Sequence, residues 1–136
     1  MERMTRQRSA IETSVGQAGR PLLPQEVLAL AQRAVPGLSI ATVYRQLKAL
    51  VDEGTLRAVQ LAGEPPRYEP AAHGHHHHFQ CTRCQRVFDM HGCPGDLAHL
   101  APAGFVVENH EVTLYGCCAE CAPPRRAAPQ RRRTAA

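Results

Sequence analysis

The sequence lacks both a long apolar run and a secretory leader. A membrane-spanning helix needs about 20 consecutive apolar residues, so we expect a cytoplasmic protein rather than a membrane protein. Because thiols stay reduced in that compartment, the six cysteines are expected to bind metal rather than to form disulfides. The sequence also shows no motif that would build a catalytic cleft, and we therefore predict that the protein is not an enzyme.

Acidic residues are missing from the end of the chain, and the charge is unevenly distributed. Residues 1–70 carry 9 Lys and Arg against 7 Asp and Glu, residues 71–122 carry 2 against 5, and residues 123–136 carry 5 against none. All eight histidines and all six cysteines lie in the middle section. This shift predicts a first domain over 1–70, a metal-binding domain over 71–122 and a disordered basic tail over 123–136.

The first section has the pattern of three helices followed by a hairpin. Apolar residues at helical spacing predict helices over 4–18, 25–34 and 40–53. Two extended segments, 56–61 and 67–69, flank a Gly-Glu-Pro-Pro turn and are expected to pair. This order is typical of a winged helix-turn-helix, whose third helix enters the major groove of DNA.

The predicted third helix carries the candidate DNA contacts. Small and polar residues at its start allow a close approach to DNA, and aromatic and cationic residues further along can reach bases or phosphates. The net charge of the first section is 9 minus 7, or +2, which is small for a DNA-binding domain. A small helical bundle with ordinary surface charges is therefore the alternative. The candidate contacts are Ser39, Thr42, Tyr44, Arg45 and Lys48.

The second section contains two Cys-x-x-Cys pairs among short predicted strands, over 75–80, 86–90 and 105–115, with a short helix expected over 95–100. Two such pairs offer four thiolates to one tetrahedral zinc ion, and the long loop between them costs little extra to close. We therefore predict an α+β fold with a structural zinc site. Its ligands are Cys81, Cys84, Cys118 and Cys121, whereas Cys93 and Cys117 are expected to be small buried hydrophobic residues.

Four consecutive histidines, His75 to His78, lead into the first cysteine pair. In an extended strand successive side chains point to opposite faces, so His75 and His77 share one face while His76 and His78 share the other. The run therefore predicts the beginnings of two metal sites, although a solvated polar stretch is the alternative. Residues elsewhere that could complete these sites are Glu69, Asp89, Asp96 and His110.

These motifs resemble the ferric uptake regulator (Fur) family of bacterial metal-responsive repressors. The zinc uptake regulator (Zur) branch of that family is the candidate subgroup. The resemblance is carried by Ala41-Thr42-Val43-Tyr44-Arg45, by Arg67-Tyr68-Glu69, by the histidine run with its cysteine pair, and by the segment from Gly104 to Cys121. It implies an N-terminal winged helix, a C-terminal dimerisation domain, and a homodimer that binds a palindromic operator in double-stranded DNA.

The same resemblance implies two metal sites besides the structural one. Many members supply a histidine from just before the second helix to the regulatory site at the hinge between the domains. Here that segment reads Pro21-Leu22-Leu23-Pro24, so His73 is a candidate substitute. The implied hinge ligands are Glu69, His76, His78 and Asp89, and the implied ligands of the second dimerisation-domain site are His75, His77, Asp96 and His110.

The identity of the regulatory metal is less constrained by the sequence. Imidazole suits zinc, iron and nickel, and carboxylates also accept manganese. The nitrogen-rich histidine run favours a zinc-responsive repressor of metal-uptake genes, with Fe2+ or Mn2+ as alternatives in an iron-responsive or peroxide-sensing repressor. A metal-trafficking protein and a zinc hydrolase are the alternatives of a different class.

Overall fold

The structure, a computed structural model, describes residues 2–72 and 76–123. The described chain begins with three helices, α1 (Glu2–Gln17), α2 (Pro24–Ala31) and α3 (Ile40–Asp52). Strands β1 (Leu56–Val59) and β2 (Arg67–Pro70) follow, and they pair antiparallel as the first sheet. The predicted order of three helices and a hairpin is therefore confirmed. No helix in these residues is both long and apolar enough to cross a membrane.

Local signals in the sequence fix the ends of the helices. Pro24 begins α2, where its missing N–H costs nothing, and the Glu26 carboxylate accepts a 3.0 Å hydrogen bond from the Leu23 N–H. The Ser39 hydroxyl caps α3 by accepting a 3.2 Å hydrogen bond from the Thr42 N–H. Beyond α3, Gly54 adopts a φ of 81°, and this left-handed residue turns the chain into β1.

One hydrophobic core holds the three helices and the start of the first sheet together. Each helix contributes its apolar stripe, which leaves the opposite face of α3 exposed to solvent. The buried members of this core are Ile11, Val15, Leu22, Val27, Ala31, Leu38, Val43, Leu47, Leu50 and Leu56.

The second sheet contains β3 (His77–Cys81), β4 (Val87–Met90) and β5 (Thr113–Gly116), in the order β4-β3-β5. β3 pairs antiparallel with β4 and parallel with β5. A 3-10 helix, Ala98–Leu100, lies in the connection to β5. This helix is shorter than the one predicted over 95–100. The α+β architecture thus follows the prediction.

The predicted strand over 105–115 is mostly wrong, because only 113–116 forms a strand and 105–112 is irregular. Valine-rich sequence favours a strand only where a neighbouring strand supplies hydrogen bonds. β3 hydrogen-bonds to this segment only from Val112 onward, and its residue pairing with β5 begins at Thr113. The predicted tail falls, from residue 124 onward, outside the described residues.

A small interface connects the first sheet to the second. Val59 and Leu61 pack with Val87 in a buried cluster. The buried Arg67 of β2 donates a 2.9 Å hydrogen bond to the carbonyl oxygen of Gln85, in the turn before β4. These contacts place the inner face of β2 beside β3 and β4. Glu69, on that face of β2, is thereby positioned next to the second sheet.

Candidate metal centres

Four cysteines at one end of the second sheet meet in one group, named here the cysteine cluster (Cys81, Cys84, Cys118 and Cys121). Their sulfur atoms all lie within 4.8 Å of one another, and the Sγ atoms of Cys84 and Cys118 are 3.8 Å apart. A tetrahedral zinc ion with Zn–S bonds of about 2.3 Å places its sulfurs about 3.8 Å apart. The four thiols and their spacing therefore fit a zinc ion. The structure brings in Cys118 rather than its neighbour Cys117.

Backbone and arginine donors favour thiolates in part of the cysteine cluster. The N–H groups of Cys84 and Cys118 both lie 3.4 Å from the Cys81 sulfur, and they lower its pKa to about 6. Arg86 Nε donates to the Cys84 sulfur at 3.1 Å, which lowers the pKa of Cys84. In contrast, hydrogen bonding to Cys118 and burial raise the pKa of Cys121 to about 12. A dication bound by the four sulfurs would therefore have to displace the proton of the Cys121 thiol.

A second group, named here the Glu69 cluster, consists of Glu69, His76, His78 and Asp89. Glu69 lies in β2 of the first sheet, whereas His78 and Asp89 are paired residues of β3 and β4 in the second. His76 Nε2 lies 3.0 Å from Glu69 Oε1 and 3.2 Å from Asp89 Oδ1. His78 Nε2 lies 3.3 Å from Asp89 Oδ1 and 3.7 Å from Glu69 Oε2. A tetrahedral ion with bonds of about 2.1 Å requires donor separations of about 3.4 Å, so these two nitrogens and two carboxylates fit a divalent cation.

The Glu69 cluster is buried and highly polar. The side chains of Glu69 and Asp89 are only 0% and 4% exposed. Burial alone would raise the pKa of Glu69, but hydrogen bonds with His78, Asp89, Arg57 and His76 lower it overall. Burial likewise opposes protonation of His78, yet Asp89 and Glu69 raise its pKa to about 9. Buried charges of this kind are found where they are paired or bind metal.

Arg57 also belongs to the surroundings of the Glu69 cluster, and the sequence analysis missed it. Its Nε donates a 2.7 Å hydrogen bond to Glu69 Oε1, and its Nη2 lies 2.9 Å from the ring nitrogens of His76. The register of the hairpin places Arg57 directly opposite Glu69. A predicted register for β1 and β2 would have identified it.

The second predicted site is only partly assembled as predicted. His77 and His110 do meet, with ring centroids 5.1 Å apart, but their third neighbour is Cys93 rather than Asp96. The Asp96 carboxylate instead accepts a 2.8 Å hydrogen bond from the Ala98 N–H at the start of the 3-10 helix. His75 falls outside the described residues. We name His77, Cys93 and His110 the mixed cluster.

The remaining candidates lie apart from these three groups or outside the described chain. Cys117 is half-buried, whereas Cys93 of the mixed cluster is exposed, so the prediction that Cys93 is a buried hydrophobic residue is wrong. The side chains of His91 and His99 are exposed. His73, the suggested substitute for an upstream histidine, falls outside the described residues.

The exposed face of α3 carries the predicted DNA contacts. Tyr44 is 49% exposed, and Arg45 Nη2 donates a 3.2 Å hydrogen bond to the Thr42 hydroxyl. Ser39 and Lys48 are also exposed, while Val43 and Leu47 on the opposite face are buried. The helix therefore presents a polar, cationic surface on a rigid apolar support. Its binding to DNA stays a prediction.

Comparison with known proteins identifies the relatives of this chain. The sequence model of the ferric uptake regulator family matches residues 2–115. The transcriptional regulator FurA of Mycobacterium tuberculosis is 32% identical over 123 residues, which cover 88% of this chain and 82% of that protein. The peroxide operon regulator of Bacillus subtilis is 32% identical over 124 residues, which cover 88% and 83%.

Solved structures support the same fold. A zinc-bound manganese uptake regulator aligns with a TM-score of 0.73 at 24% identity, over 82% of this chain and 87% of that one. The ferric uptake regulator of Helicobacter pylori aligns with a TM-score of 0.66 at 24% identity, over 85% and 79%. The predicted fold class, a winged helix followed by a small α/β unit, is confirmed by these similarities and by the family match.

Proposed function

Since the chain belongs to the ferric uptake regulator family of metal-responsive transcriptional regulators, we propose that it is a zinc-responsive repressor of metal-uptake genes. In this proposal residues 1–70 bind DNA, residues 71–122 bind metal and form a homodimer, and the protein works in the cytoplasm. The cysteine cluster holds a structural zinc ion. The Glu69 cluster holds the regulatory ion, and its occupancy controls binding to a palindromic operator.

The observation that carries the proposal is the position of Glu69. This residue belongs to the hairpin that follows α3, whereas the other three members of the Glu69 cluster belong to the second sheet or to the residue just before it. An ion bound by all four side chains would tie the hairpin to the second sheet. Metal occupancy would therefore restrict how the DNA-facing helix is oriented relative to the rest of the chain.

The proposed mechanism is a shift between an open and a closed arrangement. A cation that binds the closed arrangement more tightly raises its population, because a ligand shifts an equilibrium only by its differential affinity. To change the populations from mostly open to mostly closed, the ion must bind the closed arrangement more tightly by about 5.5 kcal/mol of binding free energy. Several coordination bonds that form only when Glu69 is in place can supply a difference of that size.

The proposal requires two copies of α3, because a palindromic operator is read by a symmetric dimer. The second sheet and the irregular segment before β5 offer a surface for such an interface. Phe105, Val106, Leu114 and Tyr115 are large apolar or aromatic residues that are each at least half exposed. β5 is also an edge strand among the described strands, which leaves its outer edge available for pairing.

Zinc is the regulatory ion that the geometry favours. The Glu69 cluster brings four donor atoms together at separations typical of a tetrahedral ion, and structural and catalytic zinc sites use this geometry with nitrogen and oxygen ligands. Manganese more often takes an octahedral set of oxygen ligands. A cluster with two imidazoles and two carboxylates is thus better matched to zinc.

An iron-dependent, peroxide-sensing repressor is the second candidate function. It is favoured by the similarity to the peroxide operon regulator of Bacillus subtilis. The Glu69 cluster contains no sulfur, and imidazole with carboxylate ligands also suits Fe2+. A metal-trafficking protein or a zinc hydrolase would leave the exposed polar face of α3 without a role.

The test is a DNA retardation assay on the region upstream of the chain's own gene, at controlled free Zn2+, Fe2+, Mn2+ and Ni2+. We expect zinc to promote retardation at the lowest free concentration. His78→Ala should abolish metal-dependent binding but leave a folded dimer, while the exposed His99→Ala should behave as wild type. Unchanged metal dependence in His78→Ala would refute the regulatory site, and retardation with Fe2+ that peroxide abolishes would favour the second candidate.

A further inference from the structure

The guanidinium group of Arg86 lies between the two Cys-x-x-Cys turns of the cysteine cluster. Its Nε donates a 3.1 Å hydrogen bond to the Cys84 sulfur, and its Nη2 lies 3.8 Å from the Cys118 sulfur. We propose that Arg86 is a positioning residue that slows the loss of zinc, because it holds one sulfur of each turn and offsets part of the negative charge on the thiolates. This inference rests on the structural zinc ion that the proposed function assigns to the cysteine cluster.

The turn after Cys81 brings the Arg86 side chain back over the first cysteine pair. The Gln85 N–H donates a 2.9 Å hydrogen bond to the Cys81 carbonyl oxygen, and the Cys81 N–H donates to the Arg86 carbonyl oxygen at the same distance of 2.9 Å. Gln85 adopts a φ of 63°, in the left-handed region, and its side chain donates a 2.9 Å hydrogen bond to the Thr82 carbonyl oxygen. The backbone of Arg86 is therefore fixed to that of a proposed zinc ligand.

Two further contacts orient the guanidinium plane. Nη2 of Arg86 forms an ion pair with the carboxylate of Glu120, which lies inside the second Cys-x-x-Cys turn. Cζ of Arg86 lies 5.6 Å from the centroid of the Phe88 ring, and a cation within about 6 Å of an aromatic ring is attracted to it. The guanidinium is thus held by sulfur, by carboxylate and by an aromatic ring, so its N–H groups keep a fixed direction.

The contacts to sulfur are expected to matter more than the ion pair. The Glu120 side chain is 75% exposed, and an ion pair that faces water contributes little to stability. The Cys84 and Cys118 side chains are half-buried and buried, so water weakens a hydrogen bond to their sulfurs less. A charged donor also makes a stronger hydrogen bond than a neutral one. Glu120 therefore serves mainly to orient Arg86.

The charge of the site explains why a cationic donor retards the loss of zinc. A zinc ion with four thiolates carries a net charge of about −2. Zinc leaves such a site when a sulfur detaches and a competing ligand takes its place. The guanidinium holds Cys84 and Cys118 next to each other, so a detached sulfur stays within reach of the ion and binds again. A hydrogen bond from a cation also draws electron density from the sulfur, which makes the thiolate a weaker nucleophile.

The test measures zinc loss from the full chain after brief treatment with EDTA has removed exchangeable ions. Transfer of the remaining zinc to an excess of a chromophoric chelator is followed under reducing conditions. We expect Arg86→Gln to lose zinc at least about tenfold faster, the order of change seen when residues around a metal ligand are altered. Arg86→Lys keeps the charge but lacks the planar fork, so its rate should lie between the two.

Arg83→Gln is the matched control, because it removes the same positive charge from an exposed residue of the first Cys-x-x-Cys turn. It should lose zinc at the wild-type rate. Glu120→Gln should accelerate the loss less than Arg86→Gln does, because the contacts of Arg86 to sulfur remain.

A spectroscopic readout separates the charge on sulfur from packing. With Co2+ introduced into the cysteine cluster during refolding, the sulfur-to-cobalt charge-transfer band reports the electron density on the thiolates. Arg86→Gln should move this band to longer wavelength, because electron-rich sulfur is more easily oxidised. Arg86→Lys should restore part of the shift, and Arg83→Gln should leave the band in place.

Zinc loss at the wild-type rate in Arg86→Gln would overturn the proposal, and so would faster loss with an unmoved cobalt band, which packing alone would explain. If Arg86→Gln does not fold, Arg86→Lys decides between the same outcomes. A wild-type chain without EDTA-resistant zinc would instead refute the structural ion, and with it this role of Arg86. That failure is visible before any variant is compared, and the zinc response of DNA binding tests the Glu69 cluster separately.

Discussion

Arg57 Nε donates a 2.7 Å hydrogen bond to Glu69 Oε1, so a guanidinium group occupies part of the proposed regulatory site. The Nη2 atom of the same guanidinium lies 2.9 Å from the Nδ1 atom of His76. The two buried carboxylates, Glu69 and Asp89, also raise the pKa of His78 to about 9, so Arg57 and His78 both place positive charge beside them. An incoming dication must therefore displace or repel an internal positive charge.

We predict that Arg57→Gln lowers the free zinc concentration needed for half-maximal DNA binding by about tenfold or more. Two unit charges 4 Å apart interact by about 4 kcal/mol at an effective dielectric constant of 20, so removing a like charge favours the dication. The measurement is operator binding by fluorescence anisotropy in zinc buffers. Arg33→Gln is the control, because it removes the same positive charge from an exposed residue just after α2. A higher zinc requirement in Arg57→Gln would show that Arg57 chiefly positions Glu69.

Removing one ligand of the cysteine cluster should unfold the second sheet. Structural zinc binding is coupled to folding, because the unfolded chain has no preformed site. Cys84→Ser is expected to lose one zinc ion per chain and to lower the thermal midpoint, as measured by metal analysis and circular dichroism. Cys117→Ser should retain both properties. Equal zinc content and stability in Cys84→Ser would show that the four sulfurs do not hold a structural ion.

Lys48 offers a test of the DNA-facing surface of α3. If its exposed ammonium group contacts a phosphate, Lys48→Ala should weaken binding to all DNA sequences and reduce the salt slope of the affinity by about 1. The measurement is operator affinity against salt concentration at saturating zinc. An unchanged slope would place Lys48 outside the DNA contact.

Shortening a buried side chain in the core of the three helices should lower the free energy of unfolding, whether or not metal is bound. Leu47 is fully buried in α3, so Leu47→Ala is expected to cost about 2–5 kcal/mol of unfolding free energy. Ile40, on the same helix, is 37% exposed, and Ile40→Ala should cost much less. Urea denaturation of both variants at fixed zinc measures the difference. Similar losses would contradict the orientation assigned to α3.

The helices and the separation of the histidines could be predicted because they depend on local periodicity. His76 and His78 meet in the Glu69 cluster while His77 points into the mixed cluster, as the two-residue period of an extended chain requires. The spacing of the two Cys-x-x-Cys pairs likewise identified four residues that the structure brings together. In these cases the information lies within a few consecutive residues.

The contacts that were missed depend on long-range packing. Cys93 lies in an irregular segment, and nothing in its neighbourhood along the sequence indicates that it meets residues 77 and 110. Arg57 reaches the Glu69 cluster because the register of β1 and β2 places it opposite Glu69. A shift of that register by one residue would turn its side chain to the other face of the sheet. The segment 105–111 has strand-like composition but pairs with none of the described strands, so composition predicted too long a β5.

The most direct test of the central claim compares the operator affinity of the wild type and of Glu69→Gln, each with and without saturating zinc. The account predicts that zinc tightens wild-type binding by at least about fivefold, the lower end of typical coupling between sites. Glu69→Gln should show no such gain, while Glu12→Gln, an exposed change on α1, should match wild type. An equal zinc effect in wild type and Glu69→Gln would contradict the claim that an ion at Glu69 links the hairpin to the second sheet.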